Sequence, residues 1–358
     1  MKKKFMYILG FYPINGRSKK ISKAIEEYYD AEIKFIYWNM NHLDIDLKDQ
    51  KDYIFTSYGN DSKLSKLKKI FFFGKYIKEK VNEYNPDVIV AYHWEVFILV
   101  KIINVFKKKK IIYEISDIPA YSGILHIFLK KLEELFISKD DILIFASKYF
   151  LEEYPKIKNK FIIIDNKPEK FLINSKEKFK FISKKKLVVS FIGVYRDFEI
   201  MKNIIDVFEK KEVDLLFFGD GAIRQQLNEY SRTKDNIHIF GSYSYEEIPK
   251  FYNISDVIIS LYSNKDVNTK LALGNKFYKV QAFKKIGLFP EGTRMGEYIL
   301  KNRLGLVVNP YNKQNISEAI DKVLNKSKEV KEIMKNLENL EEKEIFWEYE
   351  KEKIKELL

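Results

Sequence analysis

The chain has 358 residues, 46% of them hydrophobic and 32% charged, with a net charge of +13 and no cysteine. That length and apolar content exclude a single small domain or a disordered chain and fit two domains of ordinary size. The lack of cysteine excludes disulfides, zinc–thiolate sites and a thiol nucleophile, and no run of about 18 uncharged apolar residues offers a membrane-spanning helix. Only six of the 64 basic residues are Arg. Nucleic-acid readers rely on Arg for bidentate contacts, so no nucleic-acid partner is expected. Lysine-rich charge suits loose attraction to anionic headgroups, although an AT-rich coding composition would inflate Lys in the same way.

The N-terminus, MKKKFMYILGFYP, mimics a signal peptide, but its apolar run is very short and leads into a glycine loop, so it reads as a strand over Phe5–Leu9. The loop Gly10 to Gly16-Arg17 precedes a helix for which Ser18 is the expected N-cap. A loop between a first strand and a first helix lies at the carboxyl edge of a parallel sheet, where open α/β folds bind ligands. After a strand over 32–37, Asp44-Ile45-Asp46 reads as a solvated loop rather than a metal site. Lys63 to Val81 predicts a basic amphipathic helix, with lysines 63, 66, 68, 69, 75, 78 and 80 beside Leu64, Leu67, Ile70, Phe71, Phe72, Phe73, Tyr76 and Ile77. Such a helix is either core or a membrane-surface binder for an anionic leaflet. Strands over 87–91 and 110–115 deliver Tyr92-His93-Trp94-Glu95 and Ser116-Asp117 to one edge, with Glu114 just inside the second. Strands over 142–147 and 161–164 close the first domain near Pro168.

The second domain opens on a strand over 187–192, then Gly193, Arg196 and, six residues later, Lys202 in the first turns of a helix. Arg offers a planar fork and Lys a point charge, so the pair could clamp a diphosphate. The alternative is a solvated pair on a βα loop. Gly219-Asp220-Gly221 follows a strand over 215–218, and Gly241 and Tyr243 follow one over 237–240. From Gly274 to Val308 the chain reads helix, strand, loop, helix opened by Glu297, strand. Asn275 and Lys276 stand at the start of that first helix, where free N–H groups and the dipole favour an anion.

Several of these segments resemble the donor-binding region of GT-B glycosyltransferases, in particular the retaining family 4 and its surface-polysaccharide members. The carriers are Asn275-Lys276-Phe277-Tyr278, then Glu291-Gly292-Thr293, Gly296-Glu297 and Gly305-Leu306-Val307-Val308. One departure stands out: the family's acidic residue after Tyr278, which holds a donor hydroxyl, is Lys279. The resemblance implies that His93 contacts the transferred sugar and that Asp117, Glu114 and Arg17 shape the acceptor side. It implies that Gly10, Gly16, Gly193, Gly219, Gly241, Tyr243, Asn275, Lys276, Phe277, Thr293 and Gly296 border the donor, with Glu297 on a donor hydroxyl. His93, Arg196, Lys202 and Glu297 are thus the expected catalytic set.

The resulting expectation is an α/β chain of two Rossmann-like domains facing a cleft: 1–168 on the acceptor side, 169–325 binding the nucleotide sugar, and 326–358 a C-terminal helical segment returning to the first domain and burying Trp347. The expected reaction moves a sugar from a nucleotide-diphosphate donor to a hydroxyl of a lipid-linked or growing surface glycan. It needs no metal and no cofactor; retention is implied by resemblance only. The expected location is the cytoplasm, at the inner face of the membrane if 63–81 docks there. A UDP-sugar epimerase and a non-catalytic scaffold of a polysaccharide assembly complex are the alternatives.

Overall fold

The computed structural model describes residues 2–46, 48, 51–57, 63–104, 109–119, 123–183 and 185–358. They form two compact units, residues 1–165 with 351–358, and residues 166–350.

The first unit is built on a parallel sheet. Its strands are β1 (Lys3–Leu9), β2 (Ala31–Asn39), β3 (Tyr53–Thr56), β4 (Val88–Tyr92), β5 (Lys110–Ile115), β6 (Ile142–Phe145) and β7 (Phe161–Ile163), in the order β3-β2-β1-β4-β5-β6-β7. Central strands are buried on both faces and read as continuous apolar runs, as in β4 and β6. The helices are α1 (Gly16–Tyr29), α2 (Lys63–Tyr84), α3 (Trp94–Asn104) and α4 (Ile124–Phe136). Asn15, not Ser18, caps α1: its side chain accepts from the Ser18 N–H at 2.7 Å. Asn is at least as good a cap as Ser, and the extended backbone at Asn15 lets the helix start earlier.

The second unit repeats the plan. After the short α5 (Phe171–Asn174) come β8 (Leu187–Ile192), α6 (Phe198–Phe208), β9 (Val213–Phe218), α7 (Arg224–Ser231), β10 (Ile237–Ile239), α8 (Ile248–Ile254) and β11 (Val257–Ile259). They are followed by α9 (Val267–Leu271), α10 (Asn275–Ala282), β12 (Ile286–Pro290), α11 (Arg294–Asn302), β13 (Leu306–Val308) and α12 (Lys313–Leu324). The sheet order is β10-β9-β8-β11-β12-β13, all parallel. Helix α11 begins three residues before Glu297, because Thr293 caps it by accepting from the Gly296 N–H at 2.9 Å.

The tail breaks into α13 (Lys328–Glu338), α14 (Glu342–Ile345), α15 (Trp347–Glu350) and a 3-10 turn, Lys351–Glu356. Trp347 is buried, but in the second unit: its N–H donates to Pro168 O at 2.9 Å, and Lys167 pairs with Glu350 at 2.7 Å. Only 351–358 joins the first unit, where Ile354 and Leu357 are buried and the Tyr29 hydroxyl donates to Ile354 O at 2.9 Å.

Candidate functional site

In the second unit the strand order changes direction between β8 and β11, with β9 and β10 on one side and β12 and β13 on the other. Loops leaving such neighbouring strands turn opposite ways and open a crevice outside their carboxyl ends. The floor of that region is glycine backbone. Gly193, at φ +145°, donates to Phe218 O at 2.8 Å; Tyr195 donates to Asp220 O at 2.9 Å; Gly219 donates to Gly241 O at 3.1 Å. A Cβ on Gly219 would lie 1.9 Å from Gly193 O, and one on Gly221 would lie 2.2 Å from Tyr195 O. Backbone therefore touches backbone at these two positions, and only glycine fits.

Lys276 enters beside Gly193, where a Cβ would meet its Cε at 3.2 Å and the Tyr262 hydroxyl at 3.4 Å. Its ammonium lies 3.4 Å from the centroid of the Phe191 ring and 4.7 Å from that of Tyr262, and donates to Ile259 O at 3.3 Å. The side chain is buried, and among the described residues no carboxylate pairs with it. Burial first, then the charges of Lys279 and Arg196, push its pKa well below the usual lysine range. Lys276 also sits in the first turn of α10, where the helix dipole opposes a cation, and Gly274 supplies no side-chain cap. Lys279, one turn on and partly buried, points at Tyr245, 5.4 Å from its ring centroid; burial lowers its pKa to about 8. Arg196 is exposed and makes no ion pair among the described residues, and its charge reaches both Lys276 and Tyr262. Three basic side chains thus gather at this crevice with no carboxylate partner among the described residues, the kind of cluster whose charge an anion would balance.

Lys202 is not part of this group. On α6 its ammonium stands 5.3 Å from the Tyr230 ring centroid, near Asp206, which Lys313 pairs with at 2.5 Å. The structure thus joins Arg196 to Lys276 rather than to Lys202. Asn275 is exposed at the helix start, while Phe277 is buried as a packing anchor, edge-on to Tyr298 at 5.4 Å. Thr293 is buried, its hydroxyl donating to Pro290 O at 2.9 Å, and a Cβ on Gly296 would lie 2.4 Å from that same oxygen. Glu297 is exposed and paired with Arg294 at 2.7 Å. Gly241 faces the Arg224 guanidinium, which pairs with Asp220 at 3.1 Å, and Ser242 donates to the same carboxylate at 3.1 Å. Tyr243 is half-buried against Phe251, and burial pushes its hydroxyl up to about 12. Sequence reading missed Phe191 and Tyr262; the available signal was an aromatic at the end of β8 and one just past β11.

The first unit has its own change of direction, between β1 and β4. Gly10 leaves β1 and packs against α3, where a Cβ would meet Val96 at 3.2 Å; Gly16 opens α1 into free space. His93 leaves β4 at φ +67°, held by its N–H to Glu114 O at 3.2 Å. Its Nε2 lies 3.7 Å from the Asp117 carboxylate, so the two strand ends meet. Burial lowers the His93 pKa to about 4, leaving a neutral ring at neutral pH. Glu114 and Arg17 are both buried and joined at 2.7 Å; Arg17 also donates to Ile164 O at 2.6 Å, and Glu114 accepts from the Tyr7 hydroxyl. Asp44 and Asp46 lie in a loop, and among the described residues no three His, Asp or Glu side chains cluster as metal ligands. No helix of the described residues is long and apolar enough to cross a membrane.

Residues 173–340 match the model of the family described as glycosyl transferases group 1. No curated protein sequence matches the chain. Among solved structures, a sucrose-phosphate synthase from Thermosynechococcus elongatus superposes with TM-score 0.74 at 12% identity, covering 99% of this chain and 98% of that one. Anabaena HepE, solved with UDP and glucose, gives 0.71 at 13% identity over 99% and 98%. A UDP-N-acetylglucosamine 2-epimerase gives 0.64 at 12% identity over 99% and 95%. At such identities the likeness establishes the fold of two Rossmann-like units, the GT-B architecture.

Proposed function

We propose that the chain is a nucleotide-sugar glycosyltransferase, a reading supported by the match of residues 173–340 to the glycosyl transferases group 1 model, and that Arg196 and Lys276 hold the donor diphosphate. The observation that carries this is the buried Lys276 ammonium, which no carboxylate among the described residues neutralises, beside Gly193 at the β8/β11 crevice. When the bond from the anomeric carbon to the β-phosphate oxygen breaks, negative charge grows on the diphosphate. Preorganised cations in a water-poor site stabilise that charge more than they stabilise the intact donor. The acceptor oxygen forms the new bond to the anomeric carbon, and its proton goes to the departing diphosphate oxygen. In this reading the positive charge comes from side chains without a metal, the product keeps the donor's anomeric configuration, and the acceptor is a lipid-linked or growing surface glycan.

Lys202 would reach the diphosphate only by swinging from Tyr230 and is a secondary contact. Asn275 and the N–H groups of the α10 start add donors, while Gly219, Gly241 and Tyr243 border the base. Glu297 would bind a donor hydroxyl after leaving Arg294. His93, neutral, contacts the transferred sugar with Asp117 beside it. Arg17 and Glu114 neutralise each other and act as support for that strand edge.

A thermal-shift screen with UDP-, GDP- and CMP-linked sugars, followed by release of UDP from UDP-glucose in wild type and Arg196→Ala, tests the reading. Stabilisation by a nucleoside diphosphate that disappears in Arg196→Ala is the expected result, since a ligand that binds only the folded state raises its stability. Unchanged turnover in the variant would sink it. The likeness to a 2-epimerase supports a second reading in the same pocket. Conversion of UDP-N-acetylglucosamine to its C2 epimer with no acceptor present would select that one.

A further inference from the structure

The first unit carries an apolar surface that its own core does not use. Right-handed crossovers put α1 on one face of the sheet and α2, α3 and α4 together on the other, and α3 packs against both of its neighbours. On the α1 side the apolar residues Ile21, Ala24 and Ile25 are buried. On the other side, α2 buries Phe73, Ile77 and Val81, yet Leu67, Phe71 and Phe72 remain 64%, 58% and 53% exposed. Helix α4 is inverted. Its buried side holds Lys130 and Glu133, while Ile124, Ile127, Phe128 and Leu135 are 86%, 54%, 60% and 82% exposed. Polar contacts fix that rotation: Glu133 accepts from the Tyr154 hydroxyl at 2.6 Å and from Tyr113, and Lys130 stands 3.3 Å from Glu133 and 3.3 Å from the Tyr154 ring centroid. The helix cannot roll its apolar side inward without stranding a buried ion pair. On α3, the helix between them, Ile102 is also 54% exposed.

Charge says what covers this face. From residue 63 to 78 the sequence holds six lysines and no Asp or Glu. Lys66, Lys68, Lys75 and Lys78 are exposed, and Lys75 lies 4.7 Å from the Phe71 ring centroid. A groove of about 390 Å³ runs between edge strand β3 and α2, where Lys69 and Lys75 flank Phe72 and Tyr76 and Glu79 is the one acidic residue in the lining. Apolar side chains beside a stretch of α2 whose charges are all lysine match an anionic bilayer, whose surface offers phosphate above acyl chain.

We propose that the α2–α3–α4 face seats the first unit on an anionic bilayer, with Ile124, Ile127, Phe128 and Phe71 at the acyl boundary and the α2 lysines on the headgroups. This requires nothing of the donor pocket, and it makes α4, a helix with no basic stripe of its own, the inserting element.

Flotation with vesicles of phosphatidylcholine alone, and of phosphatidylcholine mixed with phosphatidylglycerol, tests it on the full chain. Wild type should float only with the mixed vesicles. Lys66→Glu/Lys68→Glu/Lys75→Glu should lower the partition coefficient about a hundredfold or more. Ile124→Ser/Ile127→Ser/Phe128→Ser should lower it about tenfold or more with Tm held, because these side chains are exposed. Phe128→Trp should show a blue-shifted emission on the mixed vesicles only. Equal recovery of wild type with both vesicles, or of the serine variant with wild type, overturns the proposal. So does a wild-type dimer in solution that the serine variant dissociates, which would make a second copy the occupant. The thermal shift given by UDP, measured on the same variants, should be unchanged, so a failed donor reading and a failed docking reading give different results.

Discussion

The two units share one topology and treat charge in opposite ways. Each sheet reverses its strand order at one point, β1/β4 in the first and β8/β11 in the second. Near the first reversal the cation, Arg17, is buried and neutralised by Glu114 at 2.7 Å. Near the second, Lys276 is buried and left unneutralised, with Arg196 and Lys279 close enough to depress its pKa further. A paired buried charge holds structure in place, whereas an unpaired one is a cost that a ligand relieves. The outer surfaces differ as well. Large exposed apolar side chains crowd one helical face of the first unit, while the second shows them scattered, as at Ile182 and Leu300. In the readings proposed above, one unit offers a surface to a bilayer and the other a cationic crevice to a diphosphate.

Four substitutions or titrations test this contrast. The largest effect is expected at Arg17→Met, which strands the Glu114 carboxylate in the core. It should cost about 3–5 kcal/mol of stability by denaturant unfolding, with donor affinity of the surviving folded fraction unchanged. A mild effect would mean the pair is not closed to water. Arg196→Ala should do the reverse. Its side chain is exposed, so Tm should hold, while turnover falls about 10²–10³-fold, the loss typical of one charge-stabilising group. Lys276→Met should raise stability by about 1–2 kcal/mol while abolishing the thermal shift given by UDP. If Lys276→Met is both less stable and still UDP-responsive, the ammonium is a structural group and the anion site is elsewhere.

The smallest effect is a pH dependence. The folded Lys279 pKa, about 8, lies below its ordinary 10.5. Between those values the unfolded state carries more protons than the folded one, so the group makes apo stability rise with pH from about 8 to 10.5, and its penalty is fully present below 8. Diphosphate binding favours the charged form, so UDP affinity should fall over the range where stability rises. The difference between wild type and Lys279→Met, by unfolding and by titration calorimetry, isolates this group. Parallel curves for the two proteins would show that Lys279 does not reach the ligand.

Much of the architecture is readable in the residue pattern. Apolar runs ending in glycine mark β1, β8 and β9, and their alternation with helical periods demands parallel sheets. Strand β3 escapes, because four half-buried residues between charged loops carry no strong period. Helix α4 escapes as well. An apolar stretch at helical spacing normally marks the inward side, and here that rule points the wrong way. At the candidate site, Arg196 and Lys276 are visible as basic residues at loop and helix starts. Their partnership is not, since 80 positions separate them in number and Lys202 is nearer along the chain.

Local sequence settles most of the strands, β3 excepted, and that the charge is lysine. Those follow from short-range sterics and composition, which do not depend on where distant segments lie. The burial of Lys276, the neutralisation of Arg17 by a carboxylate 97 residues away, and the outward turn of the α4 apolar side arise only when the sheets close. Burial and pairing depend on distances between residues far apart in the chain, and the same lysine is solvated or stranded according to which side of its helix the fold covers.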